Sequence, residues 1–148
     1  LLALSKLILG INDFNELCQL AARGDSKKVD LLISDVFGSD YGDKLKADII
    51  ASSMAKAAYM EERPADEDIA ASLLSTISLS IGAHVSAICG AQNVQTVVFA
   101  GGFLDYDGII SYYLMRAVNL FHPEITLVIP KNFHYIGALG AALQLTNQ

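Results

Sequence analysis

The sequence predicts an α/β fold in which a helix-rich first two-thirds is followed by a βαβα unit. Three observations predict it. Apolar residues recur at helical spacing through most of residues 1–92. The period then changes at Thr96-Val97-Val98-Phe99-Ala100, a short β-branched and aromatic run with apolar residues on both faces, which ends abruptly at Gly101-Gly102. A second apolar run, Ile125 to Ile129, follows an intervening helix. Strands joined through a helix imply a buried parallel pair, a right-handed crossover and ligands beyond the carboxyl ends of the strands.

The elements follow in order. Leu1 to Leu9 reads as an apolar helix stopped at Gly10, where a residue without Cβ takes the left-handed cap conformation. Asn12 or Asp13 caps a second helix running to Ala22, with Glu16 at capping-box distance from Asp13 and Phe14, Leu17, Cys18 and Ala21 on one face. Val29, Leu32, Ile33 and Val36 keep helical spacing up to a turn at Gly38 to Gly42, and Ile49 to Tyr59 resumes a helical pattern. Asp66 is the expected N-cap of one long helix ending near Gly90, with Ile69, Leu73, Leu74, Ile77, Ile81, Val85 and Ile88 as its main stripe. Leu79 lies opposite part of that stripe, so the helix is expected to be covered on two sides, in one reading by a second protomer. Asp107 caps a helix from Gly108 to Phe121, Pro123 breaks it, and Gly137 to Leu145 forms a last helix of small residues.

Composition narrows the function. The chain has 148 residues, 53% of them hydrophobic and 18% charged. Its mean hydropathy of +0.41 is that of a chain with a core, not of a disordered one. The net charge of −6, with no basic cluster longer than Lys27-Lys28, argues against a nucleic-acid partner. Lys6 breaks the first apolar stretch and Asp105 and Asp107 the next, so no run of the ~18–20 residues of a membrane span and no membrane association are expected, while the two unpaired cysteines suggest a cytoplasmic location. Cys18 and Cys89 lack metal-binding spacing and read as reduced core thiols. His84, His122 and His134 have no carboxylate or cysteine spacing that supports a metal or a catalytic triad, so the expected metal ligands and catalytic residues are none.

The sharpest local feature is Val97 to Leu104. Two glycines at the end of a strand let a ligand approach the backbone more closely than a Cβ permits, and a strand-ending turn without a ligand accounts for them equally. Here the chain resembles a known family. VVFAGGFL is similar to the adenosine-side motif of the actin-like ATPase superfamily, which includes acetate and sugar kinases, Hsp70 proteins and actin. An ordered series resembles type II (eukaryotic-type) pantothenate kinases more specifically: LLALSKLILGINDFNEL, AARGDSKKVDLLISDVFGSDYG, IIASSM, SLLSTISLSIGAHVSAICG, VVFAGGFL and YIGALGAAL.

The resemblance implies the C-terminal portion of an actin-like, ribonuclease H-like ATPase fold. It also implies transfer of the ATP γ-phosphate to pantothenate in the first step of coenzyme A synthesis. In that family the stretch matching Leu1 to Gly10 follows a glycine-rich GGGT segment that holds phosphates. The phosphate loop, the catalytic carboxylate and most of the Mg2+ binding would therefore lie upstream, and this chain alone is expected to be inactive. Gly101, Gly102 and Phe103 would approach the adenosine half of ATP, and Phe14 would pack on adenine or serve as a helix-start core residue. Phe37, Ile50, Ala51, Ala117, Phe121 and Tyr135 would line the pantothenate and acyl-CoA pocket, partly across a homodimer interface, or else serve as ordinary core and helix-packing residues. Asp105 stands where the family carries a basic residue, which puts feedback by an anionic CoA ester in doubt. Another actin-like kinase, such as an N-acetylhexosamine kinase, and a non-catalytic dimerisation module are the competing readings.

Overall fold

Helix α1 (Leu2–Leu9) ends where Gly10, at φ 75°, donates its amide to the Lys6 carbonyl. Helix α2 (Phe14–Ala21) begins where the Asp13 side chain accepts from the Glu16 amide at 2.9 Å. Both boundaries match the sequence expectation. The protein is described from a computed structural model covering residues 1–42, 45–104 and 108–146. It folds as two compact units, Leu1–Ile77 and Ser78–Gln148.

The first unit departs from the expected run of helices. A 3-10 turn at Ser26–Lys28 leads into β1 (Leu31–Leu32), a five-residue helix α3 (Ile33–Phe37), then β2 (Ile50–Ser52) and a second 3-10 turn at Ala55–Ala58. β1 and β2 pair antiparallel, with Leu31 opposite Ser52 and Leu32 opposite Ile50. The apolar spacing from Val29 to Val36 fits a helix, but the pairing of residues some twenty positions apart wins, because it closes backbone hydrogen bonds at both chains. The amides of Ile33 and Ser34 add bonds to the carbonyls of Ile49 and Ala47.

Helix α4 (Asp66–Gln92) has close to the expected extent. The Ala65 carbonyl accepts the first amides, from Asp68 and Ile69, so Asp66 is the first helical residue rather than the cap. Its carboxylate pairs with Arg63 at 2.9 Å. Asp66, Glu67 and Asp68 suit the positive end of the helix dipole. Every residue from Asp68 to Ser75 is buried, so the first half of α4 is covered all round within the chain itself. In the second half Cys89 is buried and Ile88 is exposed, which rotates the stripe away from its expected path. Contrary to the sequence expectation, α4 is long and apolar enough to meet the criteria for a membrane span, since residues 69–92 carry no charged side chain; its first half nevertheless packs inside the first unit, where Ile69 and Leu73 are buried with Val29.

Two cores result. Val29, Ile69 and Leu73 are packed by Leu1, Ile8, Leu9 and Met54 in the first unit. In the second, Cys89, Val118 and Ile125 are packed by Val85, Val97, Phe99 and Leu127. Cys18 and Cys89 are both free and buried.

The second unit carries the predicted βαβα order. β3 (Thr96–Val98), α5 (Ile109–Phe121), β4 (Thr126–Val128) and α6 (Ile136–Thr146) follow in sequence, and β3 pairs parallel with β4. Gly108, at φ 76°, holds the N-cap position of α5, while the expected cap Asp107, and Asp105, lie outside the described residues. β3 is not buried on both faces as expected. Val97 faces the core, but Val98 is 56% exposed, because a two-stranded sheet covered on one side leaves alternate residues open. Ala117 of α5 sits so close to Gly82 of α4 that a Cβ on Gly82 would lie 2.7 Å from the Ala117 Cβ, a crossing that only glycine permits.

Candidate functional site

The glycine turn is built by the end of β3. Gly101 has φ 111°, a conformation closed to most side chains, and its amide donates to the Phe133 carbonyl at 3.1 Å. Gly102–Leu104 forms a 3-10 turn closed by the Leu104 amide on the Gly101 carbonyl, with Leu104 buried and Phe103 half-buried. An added Cβ at either glycine would meet nothing within 4 Å. Gly102 also has ordinary backbone angles, so neither packing nor conformation explains its missing side chain.

The other residues expected in the second unit are placed differently from one another. Phe121 and Tyr135 are exposed, 49% and 67% respectively. The Tyr135 ring lies at the end of a short aromatic row through His134 and Phe133. Ala117 is 2% exposed and is taken up by the crossing with Gly82, so its side chain is part of the core rather than of an open pocket wall.

In the first unit, Phe37 ends α3, and Ile50 and Ala51 lie on β2. Phe37 is half exposed and stacks on Tyr41 with ring centroids 4.2 Å apart. Ile50 is half-buried and Ala51 is exposed. Phe14, the first residue of α2, is half-buried.

Charged groups hold the small β1–α3–β2 assembly in place. Lys56 pairs with Asp35 at 2.7 Å, and its ammonium also donates to the Lys27 carbonyl. That ammonium, together with the Leu32 amide, holds the Asp35 carboxyl below its ordinary value of 3.8. The Ala47 amide, and then Lys46, likewise hold the Asp40 carboxyl below 3.8. Asp68, at the start of α4, accepts from the Asp25 amide at 2.8 Å and pairs with Lys28 at 3.1 Å.

One buried group was missed in the sequence. Asp30 is fully buried, its Oδ1 accepts from the Met54 amide at 2.9 Å and from the Ser72 hydroxyl, and its Oδ2 has no partner among the described residues. Burial pushes its carboxyl above 3.8, against the opposing pull of Ser72, the Met54 amide, Ser26 and Lys56. The only local signal was an aspartate set among apolar neighbours in Val29-Asp30-Leu31-Leu32. No group of three or more His, Cys, Asp or Glu side chains is arranged to hold a metal ion among the described residues.

The Fumble family model matches residues 1–144. The chain belongs to the Fumble family. Its relatives include the pantothenate kinase of Schizosaccharomyces pombe, 31% identical over 149 residues, which covers 95% of this chain and 37% of the relative. Pantothenate kinase 2 of Oryza sativa subsp. japonica is 32% identical over 146 residues, 93% of this chain and 16% of its own length. The 4'-phosphopantetheine phosphatase of Mus musculus is 31% identical over 147 residues, 98% of this chain and 18% of its own length. The resemblance to eukaryotic-type pantothenate kinases is thus borne out at family level. The chain spans well under half the length of each of these Fumble relatives, and they carry two different named activities.

Proposed function

We propose that this chain is the C-terminal part of a pantothenate kinase, built as the corresponding part of an actin-like ATPase fold. In that reading it supplies the adenosine side of the ATP site and one wall of the pantothenate pocket. The phosphate loop and the carboxylate that accepts the pantothenate hydroxyl proton come from elsewhere in the protein. ATP with Mg2+, when bound, supplies the phosphoryl group and neutralises its charge.

The observation that carries the reading is Gly102, a glycine at the carboxyl end of a parallel strand that nothing in its surroundings requires. Ligands of open α/β sheets bind at such strand ends. Asp105 and Asp107 follow the glycines closely in sequence, and negative charge so near in the chain suits the uncharged adenosine better than the phosphates. Within the second unit Gly101 and Phe103 complete that turn, and Phe121 and Tyr135 are candidate ligand contacts; within the first unit Phe37, Ile50 and Ala51 are the candidate pocket wall. The proposal extends to a cytoplasmic homodimer through α4 and to acyl-CoA as an inhibitor.

The test is Gly102→Ala in the full-length protein. The added methyl has room in the fold, so the melting temperature should stay within about 1 °C, while the KM for ATP rises about tenfold through loss of close approach. Unchanged ATP kinetics would refute the adenosine assignment. Competition between pantothenate and N-acetylhexosamines for phosphorylation separates the two kinase readings.

A further inference from the structure

The β1–β2 ladder contains an irregularity at a candidate pocket residue. Leu31 pairs with Ser52 and Leu32 with Ile50, so the register slips and Ala51 is left without a Cα partner of its own. Such bulges turn a side chain out of the ordinary alternation and concentrate beside functional sites. Ala51 is exposed there. Three residues on, Met54 is left-handed at φ 57°, an unfavourable conformation for a side chain of its kind, and its side chain packs on Val29, Ile69 and Leu73. A bulge followed by a left-handed methionine does not hold itself; something outside the segment must hold it.

Asp30 stands where that support is needed. It immediately precedes β1, and its Oδ1 takes both the Met54 amide and the Ser72 hydroxyl from α4. The Lys56 amide donates to the Val29 carbonyl at 3.0 Å, and the Lys56 ammonium reaches the Lys27 carbonyl and Asp35. Residues 54–56 are therefore tied to residues 27–30 by main-chain and side-chain bonds, with α4 as the fixed side. A buried carboxylate with one oxygen unpartnered is costly to keep for stability alone.

We propose that Asp30, backed by Ser72, is a positioning residue that fixes the Ala51 bulge and thereby the wall presented to the pantothenate arm. It touches no substrate and acts through the Met54 amide. The inference rests on the reading of Ile50 and Ala51 as pocket wall given above.

Ser72→Ala and Asp30→Ala in the full-length protein test it, Ser72→Ala being the milder change should Asp30→Ala fail to fold. Each is assayed by steady-state kinetics well below its melting temperature and by hydrogen exchange of residues 50–56. The expected result is a rise of about fivefold in the KM for pantothenate, the KM for ATP unchanged, and faster exchange of the Met54 amide. Asp30→Asn keeps an acceptor oxygen for Met54 and should restore the pantothenate KM to near the wild-type value. Equal changes in both KM values would mean a general structural role and overturn the proposal, as would unchanged exchange across residues 50–56. If the wild-type protein phosphorylates no pantothenate, the functional reading fails, and the exchange data alone still decide whether Asp30 holds the bulge.

Discussion

Gly24→Ala should be among the most damaging single-methyl additions in the first unit. A Cβ at Gly24 would lie 1.9 Å from the Glu67 carbonyl oxygen and 2.9 Å from the Asp68 amide nitrogen, both main-chain atoms of the first turn of α4. Ordinary contact needs about 3.5 Å, so the loop must retreat by roughly 1.5 Å. The Asp25 amide, bonded to Asp68 Oδ1 at 2.8 Å, retreats with it and loses that bond. A hydrogen bond to a charged acceptor contributes ~1.5–3 kcal/mol, and the half-solvated Lys28 pair with Asp68 adds no more than ~1 kcal/mol. The expected loss is about 3 kcal/mol, against the ~5–15 kcal/mol of a whole domain. Gly90→Ala is the matched control. It lies inside α4 with nothing within 4 Å of the added methyl, and should gain ~0.5–1 kcal/mol from helix propensity. Urea unfolding of the two variants reads both. With an m-value of about 2 kcal/mol per molar, Gly24→Ala should lower the midpoint by ~1.5 M, and Gly90→Ala should raise it slightly. Midpoint shifts of the same sign and size would show that the contact with Glu67 does not exist.

The remaining expectations concern the core and the carboxylates. Leu74→Ala, at a fully buried site, should destabilise by ~2–5 kcal/mol in the same unfolding assay. Asp35 and Asp40 have lowered folded values, so the stability they contribute is present above 3.8 and is lost as pH falls through those values; a melting series against pH should be shallower on the acid side for Asp35→Asn and Asp40→Asn. Asp30 has the opposite sign. Its raised value means that the folded state holds the proton more tightly, so this group's effect on stability becomes less favourable as pH rises from 3.8 through the folded value, and Asp30→Asn should remove that portion of the pH dependence.

Features fixed by neighbouring residues were legible in the sequence. The Gly10 stop, the Asp13 to Glu16 cap, the extent of α4 and the parallel pairing of β3 with β4 depend on short-range capping and on a change of apolar period. The β1–β2 ladder was not, since Val29, Leu32, Ile33 and Val36 satisfy helical spacing and nothing local announces their pairing with residues near 50. The left-handed Met54 is invisible for the same reason. Within the candidate site, Gly101 was readable because its positive φ is a backbone requirement that glycine marks directly, whereas Gly102 was readable only as the second residue of the pair. Asp30 was not, because its partners lie 24 and 42 positions away and exist only once α4 and β2 have met it. Ala117 reads two ways in the sequence, because its small size suits both a pocket lining and the helix crossing that it makes with Gly82.

Among the described residues, β3 and β4 form a ladder of two strands, and their outer edges carry backbone donors and acceptors with no strand beside them. Such a ladder has an open main-chain valence on each side. Any extended segment of matching length can satisfy it, whatever its side chains, because the bonds involved are those of the peptide unit itself. Association of this chain through that sheet should therefore be indifferent to surface charge and sensitive to backbone chemistry: added salt would leave it standing, whereas a short strand-forming peptide methylated at alternate amide nitrogens would bind one edge and stop further growth.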